Sequence, residues 1–98
     1  MRVLLVEDDD VLRDVVSRSL GEAGHRVDLA ATAADARHLW RVQPVDAVLL
    51  DLNLPDGSGL TVLREARARG DRTPVLVDRK STRLNSSHVA LSRMPSSA

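Results

Sequence analysis

The sequence predicts an α/β fold in which helices cover both faces of a doubly wound parallel sheet. Short apolar runs of strand length occur at residues 3–6, 47–50 and 75–77. Segments with apolar residues at helical spacing lie between these runs, and Gly or Pro residues stand near their ends. When strands and helices alternate in this way, right-handed crossovers join the strands into a parallel sheet. We therefore expect the order strand, helix, strand, helix, strand, helix, strand.

The first strand and helix are predicted from a change of periodicity across an acidic run. Residues 2–6 form the strand, and apolar residues then recur at helical spacing as far as Leu20. Asp10 is placed to cap the start of this helix, and Gly24 suits the left-handed position after its end. A short second strand follows at residues 27–30.

The next elements are predicted from capping and turn residues. Thr32 begins a capping box, so the second helix starts there, and Pro44 marks its end. The central strand is apolar on both faces, as in a covered parallel sheet, and it ends at Asp51. Ser58 can cap a third helix that closes at Gly70, and the fourth strand opens just beyond it.

Composition limits the chain to one small domain and excludes several kinds of site. The 98 residues contain no Cys, which excludes disulfides and thiolate metal sites, and the net charge is +0. A neutral chain gives no indication of a nucleic-acid or membrane partner. No apolar run approaches the roughly 20 residues of a membrane span, and Met1 leads into a strand rather than a signal peptide. We expect a cytoplasmic protein with no membrane partner.

The chain changes character after Val77. Residues 1–77 carry 10 Arg, no Lys and 13 acidic residues, which gives a net charge of about −3. Residues 78–98 carry four basic residues against Asp78 alone, about +3, and they are rich in Ser. We therefore place a boundary between residues 77 and 78.

Carboxylates follow two of the predicted strands. Glu7 and Asp8 come directly after the first strand, and Asp51 follows the apolar run of the central strand. If those strands are neighbours, the acids converge at one edge of the sheet, where open α/β folds bind their ligands. Two like charges about 5 Å apart repel by about 3 kcal/mol at an effective dielectric constant near 20. A divalent cation such as Mg²⁺ or Mn²⁺ would offset this repulsion, although an acidic run can also serve only as a helix cap or a solvated loop.

Two stretches carry a resemblance to a known family. Residues 3–9, VLLVEDD, and residues 48–60, VLLDLNLPDGSGL, resemble the receiver domain of bacterial two-component response regulators. The likeness covers residues 1–77 in order. It implies a flavodoxin-like receiver fold that is incomplete, ending after the start of its fourth strand. It also implies a phosphorelay signalling protein rather than an enzyme.

The resemblance assigns a role to each residue of the acidic site. Asp51 matches the phospho-acceptor, which takes a phosphoryl group from a histidine kinase. Asp8 matches a direct Mg²⁺ ligand, and Glu7 matches the neighbouring acid that holds the metal through water. Asn53 matches the position whose backbone carbonyl completes the coordination. Phosphoryl transfer depends mainly on positioning and charge neutralisation, which agrees with such a site.

The chain departs from the family pattern at the fourth strand. The family has an apolar residue and then Ser or Thr where this chain has Asp78 and Arg79, and Lys80 stands too early to replace the family's later Lys. A degenerate receiver that binds partners without phosphorylation therefore stays open as an alternative. A further alternative is an aspartyl-phosphate hydrolase of the dehalogenase type, but that family has a second acid where this chain has Asn53.

The last segment resembles the translation of a widely used sequencing-library adapter. One reading frame of that oligonucleotide yields residues 78–88 and 92–98. We therefore interpret residues 1–77 as the N-terminal portion of a receiver domain and residues 78–98 as a non-native tail. The fourth strand should then be an unpaired edge of the sheet, and we expect the chain as written to lack a stable fold.

The parent protein is expected to be larger than this chain. Residues 52–60 are most similar to regulators that carry a DNA-binding winged-helix output domain, which is absent here. The resemblance therefore implies a histidine kinase as partner and control of transcription. It implies dimerisation only in the complete protein.

Overall fold

The computed structural model describes the backbone of residues 1–80 and 87–92 and the side chains of residues 1–78. The expected alternation of strands and helices is confirmed, with a small hairpin added after the central strand. The elements are β1 Arg2–Val6, α1 Asp10–Glu22, β2 Arg26–Ala30, α2 Ala33–Val42, β3 Ala47–Asp51, β4 Asn53–Leu54, β5 Gly57–Ser58, α3 Gly59–Ala68, β6 Val75–Lys80 and β7 Ser87–Ser92.

One sheet runs through the described residues in the order β2-β1-β3-β6-β7. The first four strands are mutually parallel, which places β1 and β3 at the centre as neighbours. This is the strand order of flavodoxin-like folds, in which ligands bind where the order reverses, beside β1 and β3. The short β4 and β5 pair with each other as an antiparallel hairpin outside this sheet.

The expectation that the fourth strand is an unpaired edge was wrong. Strand β6 continues to Lys80 and pairs along its whole length with β7, from Val75 opposite Ser92 to Lys80 opposite Ser87. An edge of free N–H and C=O groups accepts any extended segment that can reach it, largely regardless of sequence. The antiparallel direction of β7 requires no crossover helix. The boundary at residue 77 stays a prediction, and residues 81–86 and 93–98 of the proposed tail lie outside the described residues.

The hydrophobic core lies on the face of the sheet that α2 and α3 cover. Every second residue of β1, β3 and β6 points to this face, as the pleat of a strand requires. Trp40 of α2 is 4% exposed there. The core residues are Leu4, Val6, Ala30, Ala33, Ala36, Trp40, Val48, Leu50, Leu54, Val62, Leu63, Ala66, Val75 and Val77.

The opposite face is covered less completely. Helix α1 lies there without burying any of its residues fully. On its apolar stripe, Val11 and Val15 are 73% and 54% exposed. Leu12 and Val16 of the same helix line an apolar cavity between the helix and the sheet. One helix is thus too narrow to cover this face.

The helix caps are the expected ones at α2 and α3, but the cap of α1 differs from the expected one. Thr32 accepts a hydrogen bond from the Asp35 N–H, and Ser58 accepts one from the Leu60 N–H, as expected. Helix α1 is capped by Asp9 rather than by Asp10. Adjacent Asp residues can each fill the cap, and α1 begins at Asp10, one residue before the expected position.

Candidate metal centre

The carboxyl ends of three neighbouring strands stand level in the sheet. Val6 is in register with Leu50, and Leu50 is in register with Val77. Each of these three residues is followed in the chain by an acid, and the three acids are Glu7, Asp51 and Asp78. The structure confirms that the ends of the first and central strands meet at one edge of the sheet.

Three carboxylates at this edge of the sheet lie close enough together to share one cation. Glu7, Asp8 and Asp51 each offer an oxygen within 4.8 Å of the other two, and this is the acidic cluster that the described residues contain. At that separation a pair of ionised carboxylates repels by about 3 kcal/mol with an effective dielectric constant near 20. Oxygen ligands about 2.0–2.1 Å from a Mg²⁺ ion lie about 3–4 Å from one another. The donor set and its spacing therefore fit a hard divalent cation after a small adjustment.

The cluster combines two buried acids with one that faces solvent. Asp51 is 1% exposed and Glu7 is 3% exposed, whereas Asp8 is exposed. Few acids are buried so fully unless a partner offsets their charge. Asp8 leaves the cluster open to the surrounding water on one side, from which an ion can enter.

Backbone hydrogen bonds fix the two buried carboxylates. The Asn53 N–H donates to Oδ1 of Asp51 at 3.0 Å, and the Asp9 N–H donates to Oε2 of Glu7 at 3.1 Å. The Glu7 backbone is fixed as well, since Arg13 of α1 donates to its carbonyl oxygen at 2.9 Å. The loop after β1 and the loop after β3 are thus both tied to the carboxylates that they carry.

A glycine allows α3 to begin directly against the end of the central strand, β3. The Gly59 N–H donates to the Leu52 carbonyl oxygen at 3.0 Å. A Cβ at position 59 would collide with the backbone carbonyl of Asp51, and it would also lie 3.2 Å from Cδ1 of Leu50. The absence of a side chain at Gly59 therefore sets how closely the helix and the site can approach.

An apolar cavity of about 190 Å³ lies directly below the acids, on the α1 face of the sheet. Leu5, Leu49 and Leu76 stand two residues before the three acids on their strands, so the pleat directs both sets to the same side. The cavity is lined by Leu5, Val6, Glu7, Leu12, Val16, Leu49, Leu50, Asp51, Leu76 and Asp78.

Asp78 is the residue of this neighbourhood that the sequence analysis missed. It was assigned to the tail, where it carried no role, but it stands in register beside Asp51 and lines the same cavity as Glu7. The signal that could have found it is the period of two along the fourth strand, which puts Leu76 and residue 78 on one face. Asn53, in contrast, lies where it was expected, two residues after Asp51, and its role as a carbonyl ligand stays a prediction.

Comparison with known proteins identifies the family. The chain matches the family model of the response regulator receiver domain over residues 3–91. The chain belongs to this receiver domain family. It is 40% identical over 77 residues to the transcriptional regulatory protein QseB of Escherichia coli O157:H7, a match that covers 79% of this chain and 35% of that protein. The chain thus spans about a third of the length of the curated relatives it matches.

Solved receiver domains have the same fold. The non-phosphorylated HemR receiver domain from Leptospira biflexa is 37% identical with a TM-score of 0.73, over 78% of this chain and 61% of that one. The receiver domain of the sensor histidine kinase PA1611 from Pseudomonas aeruginosa PAO1 is 36% identical with a TM-score of 0.74, over 78% of this chain and 64% of that one. That structure has a magnesium ion coordinated in its active site cleft. The chain is therefore a partial receiver of the flavodoxin-like type.

None of the helices in the described part of the chain is both long enough and apolar enough to span a membrane.

Proposed function

We propose that Asp51 is the phospho-acceptor of a two-component receiver and that a histidine kinase is the donor. The observation that supports this most strongly is the position of Asp51. It is buried at the end of the central strand, and one of its oxygens lies within 4.8 Å of carboxylate oxygens of both Glu7 and Asp8. A lone buried acid would only be costly, whereas an acid in a cation-binding cluster suits phosphoryl transfer.

The reaction needs little covalent help from the protein. A carboxylate oxygen of Asp51 attacks the phosphorus of a phosphohistidine, and the new P–O bond forms as the P–N bond breaks. The imidazole, already protonated on its other ring nitrogen, leaves as a neutral ring. The Asn53 N–H on Oδ1 of Asp51 fixes the carboxylate in one orientation during the attack. The surrounding backbone therefore serves mainly to position the nucleophile.

The metal in this proposal is Mg²⁺, and the donor set would also accept Mn²⁺. Asp8 and Asp51 would hold it directly, Glu7 through water, and Asn53 through its backbone carbonyl. The cation supplies charge neutralisation for the phosphoryl oxygens when it is bound. The all-oxygen donor set and the magnesium ion of the PA1611 receiver support this choice.

The complete protein would connect this site to an output. Relatives such as QseB are named transcriptional regulatory proteins, and the chain spans about a third of their length. We propose a DNA-binding output domain beyond this chain, a cytoplasmic location, and regulation of transcription by the phosphorylation state of Asp51.

Labelling with a small phosphodonor tests the assignment. The purified chain is incubated with acetyl phosphate and MgCl₂, and the intact mass is measured. We expect the unmodified chain to gain the mass of one phosphoryl group. Asp51→Asn should gain no such mass, and in Asp8→Ala the labelled fraction should be strongly reduced. Asp14→Asn, an exposed acid of α1, is the matched control and should label normally. Labelling that persists in Asp51→Asn would identify another acceptor and overturn the proposal.

The row of acids favours one second candidate, a degenerate receiver that binds partners without phosphorylation. Asp78 beside Asp51 adds negative charge where the phosphoryl group must arrive, and Arg79 replaces the hydroxyl that the family uses. If the unmodified chain does not label but the double variant Asp78→Leu, Arg79→Thr does, this candidate is supported for the chain as written. The hydrolase alternative lacks such support, because the structure gives Glu7 and Asp8 a place beside Asp51.

A further inference from the structure

Asp56 ties the loop after the acceptor strand to the first turn of α2. Its Oδ1 accepts a hydrogen bond from the Ala33 N–H at 2.7 Å, and its Oδ2 accepts one from the Ala34 N–H at 3.0 Å. These donors lie 23 and 22 residues earlier in the chain, so the link is tertiary rather than local. The two hydrogen bonds lower the pKa of Asp56, which keeps its carboxylate ionised.

The two hydrogen bonds satisfy N–H groups at the start of α2. The first N–H groups of a helix have no partner within it, and its positive end favours a carboxylate. Thr32 satisfies only the Asp35 N–H. Asp56 satisfies the two N–H groups before it, so the start of α2 is completed by a residue from the β4–β5 hairpin.

The same two hydrogen bonds also anchor the hairpin. Its base is held by the Asn53 N–H on Asp51 and by the Gly59 N–H on the Leu52 carbonyl. Leu54 is packed into the core with 8% exposure, but the tip that follows it is exposed. The pair of hydrogen bonds on Asp56 ties this tip to α2. A two-stranded hairpin is only marginally stable by itself, so such an anchor limits its motion.

We infer that Asp56 is a positioning residue for the metal centre: by anchoring the hairpin on α2, it holds the backbone of Asn53 beside Asp51. The inference rests on the proposed function, since it concerns the loop that carries the proposed carbonyl ligand. Asp56 does not touch the metal or the phosphoryl group; it acts through Leu54 and Pro55, the two residues that separate it from Asn53. Groups that orient metal ligands in this way commonly change metal affinity by about 10–100-fold when they are removed.

The test compares two ways of uncapping the same helix in the full chain. Asp56→Ala removes the cap that comes from the hairpin, whereas Thr32→Ala removes the helix's own cap and leaves the hairpin untouched. Mg²⁺ affinity is measured by calorimetry, and exchange of the hairpin amides is measured by NMR. We expect Asp56→Ala to weaken Mg²⁺ binding by about tenfold and to speed exchange at Asn53 and Ser58. Thr32→Ala should do neither, and Asp56→Asn, which keeps one acceptor oxygen, should lie between.

The outcomes separate this inference from the proposed function. Equal effects of Asp56→Ala and Thr32→Ala on Mg²⁺ affinity would reduce Asp56 to a helix cap and overturn the inference. Unchanged hairpin exchange in Asp56→Ala would overturn it as well, whatever the metal does. If the unmodified chain binds no Mg²⁺, the proposed metal site fails, while faster hairpin exchange in Asp56→Ala alone still supports the anchoring role.

Discussion

Asp51 and Asp78 lie side by side, in register, at the ends of the neighbouring parallel strands β3 and β6. Neighbouring strands are about 4.7–4.9 Å apart, and both residues line one cavity together with Glu7. The acidic cluster that a metal would serve is therefore extended by one further charge in this chain. That charge has consequences for stability as well as for chemistry.

Neutralising Asp78 should stabilise the metal-free chain. A pair of carboxylates at the spacing of adjacent strands repels by about 3 kcal/mol at an effective dielectric constant near 20, and solvent reduces this for a half-buried residue. We expect Asp78→Asn to raise the free energy of unfolding in EDTA by about 1 kcal/mol or more. The additional free energy of unfolding that Mg²⁺ provides should be smaller in this variant than in the unmodified chain. Urea titrations with and without the metal measure both. An Asp78→Asn chain no more stable than the exposed-site control Asp14→Asn would contradict the expectation.

Adding one methyl group at Gly59 should disturb the site. The new Cβ would collide with the Asp51 carbonyl, so α3 or β3 must move, at a cost of about 1–3 kcal/mol. The matched control is Gly21→Ala in α1, where a Cβ meets nothing within 4 Å. That change should be neutral or stabilising by about 0.5–1 kcal/mol, because Ala favours helix more than Gly does. Equal stability of the two variants in urea titrations would disprove the close approach.

Asp71 should titrate below the ordinary range of an aspartate. Partial burial raises its pKa, but hydrogen bonds from the Thr73 hydroxyl and N–H, aided by Arg69 and Trp40, lower it below the ordinary aspartate value of 3.8. A lowered folded pKa means that the contribution to stability is present above about 3.8 and is lost as the pH falls through the folded value. NMR titration of the side-chain carboxyl carbon measures the midpoint. In Thr73→Val, which removes the hydroxyl donor, we expect the midpoint to move upward.

Removing β7 should expose the edge of the sheet. A chain that ends at Lys80 leaves the outer N–H and C=O groups of β6 unpaired, which favours association between molecules. The control is a chain that ends at Ser92 and keeps the ladder. We expect the shorter chain to associate and to lose a cooperative urea transition, measured by light scattering and circular dichroism. A cooperative transition with the same midpoint in both chains would contradict this prediction, and a non-cooperative transition in both would instead support the earlier expectation that the chain lacks a stable fold.

The parts of the fold that were predictable depend on local signals. Apolar runs identified the strands, and the Thr32 and Ser58 caps were readable because a capping residue acts on N–H groups two or three positions away. The convergence of Glu7 and Asp51 followed from parallel topology, since strands that run in one direction end at one edge. Family resemblance then supplied the roles.

The parts that were not predictable depend on distant partners. The bond between Asp56 and Ala33 crosses 23 residues, and no local pattern indicates it. The pairing of β6 with β7 uses backbone groups, which every sequence offers. Asp9 replaced Asp10 as the cap of α1 because adjacent acids are nearly equivalent candidates. Asp78 was overlooked because its segment had been set aside as a whole.

Helix α1 buries none of its residues fully, whereas α2 and α3 each bury at least three, so of the three helices α1 loses the least apolar contact when it detaches. Such a helix opens without global unfolding, and trypsin should cut at Arg13 or Arg18 before it reaches the arginines of α2 and α3. Arg13 is also the residue that holds the Glu7 carbonyl. Each transient release of α1 would therefore loosen the acidic loop. The cation affinity of the site would then depend on whether this one helix is attached to the sheet.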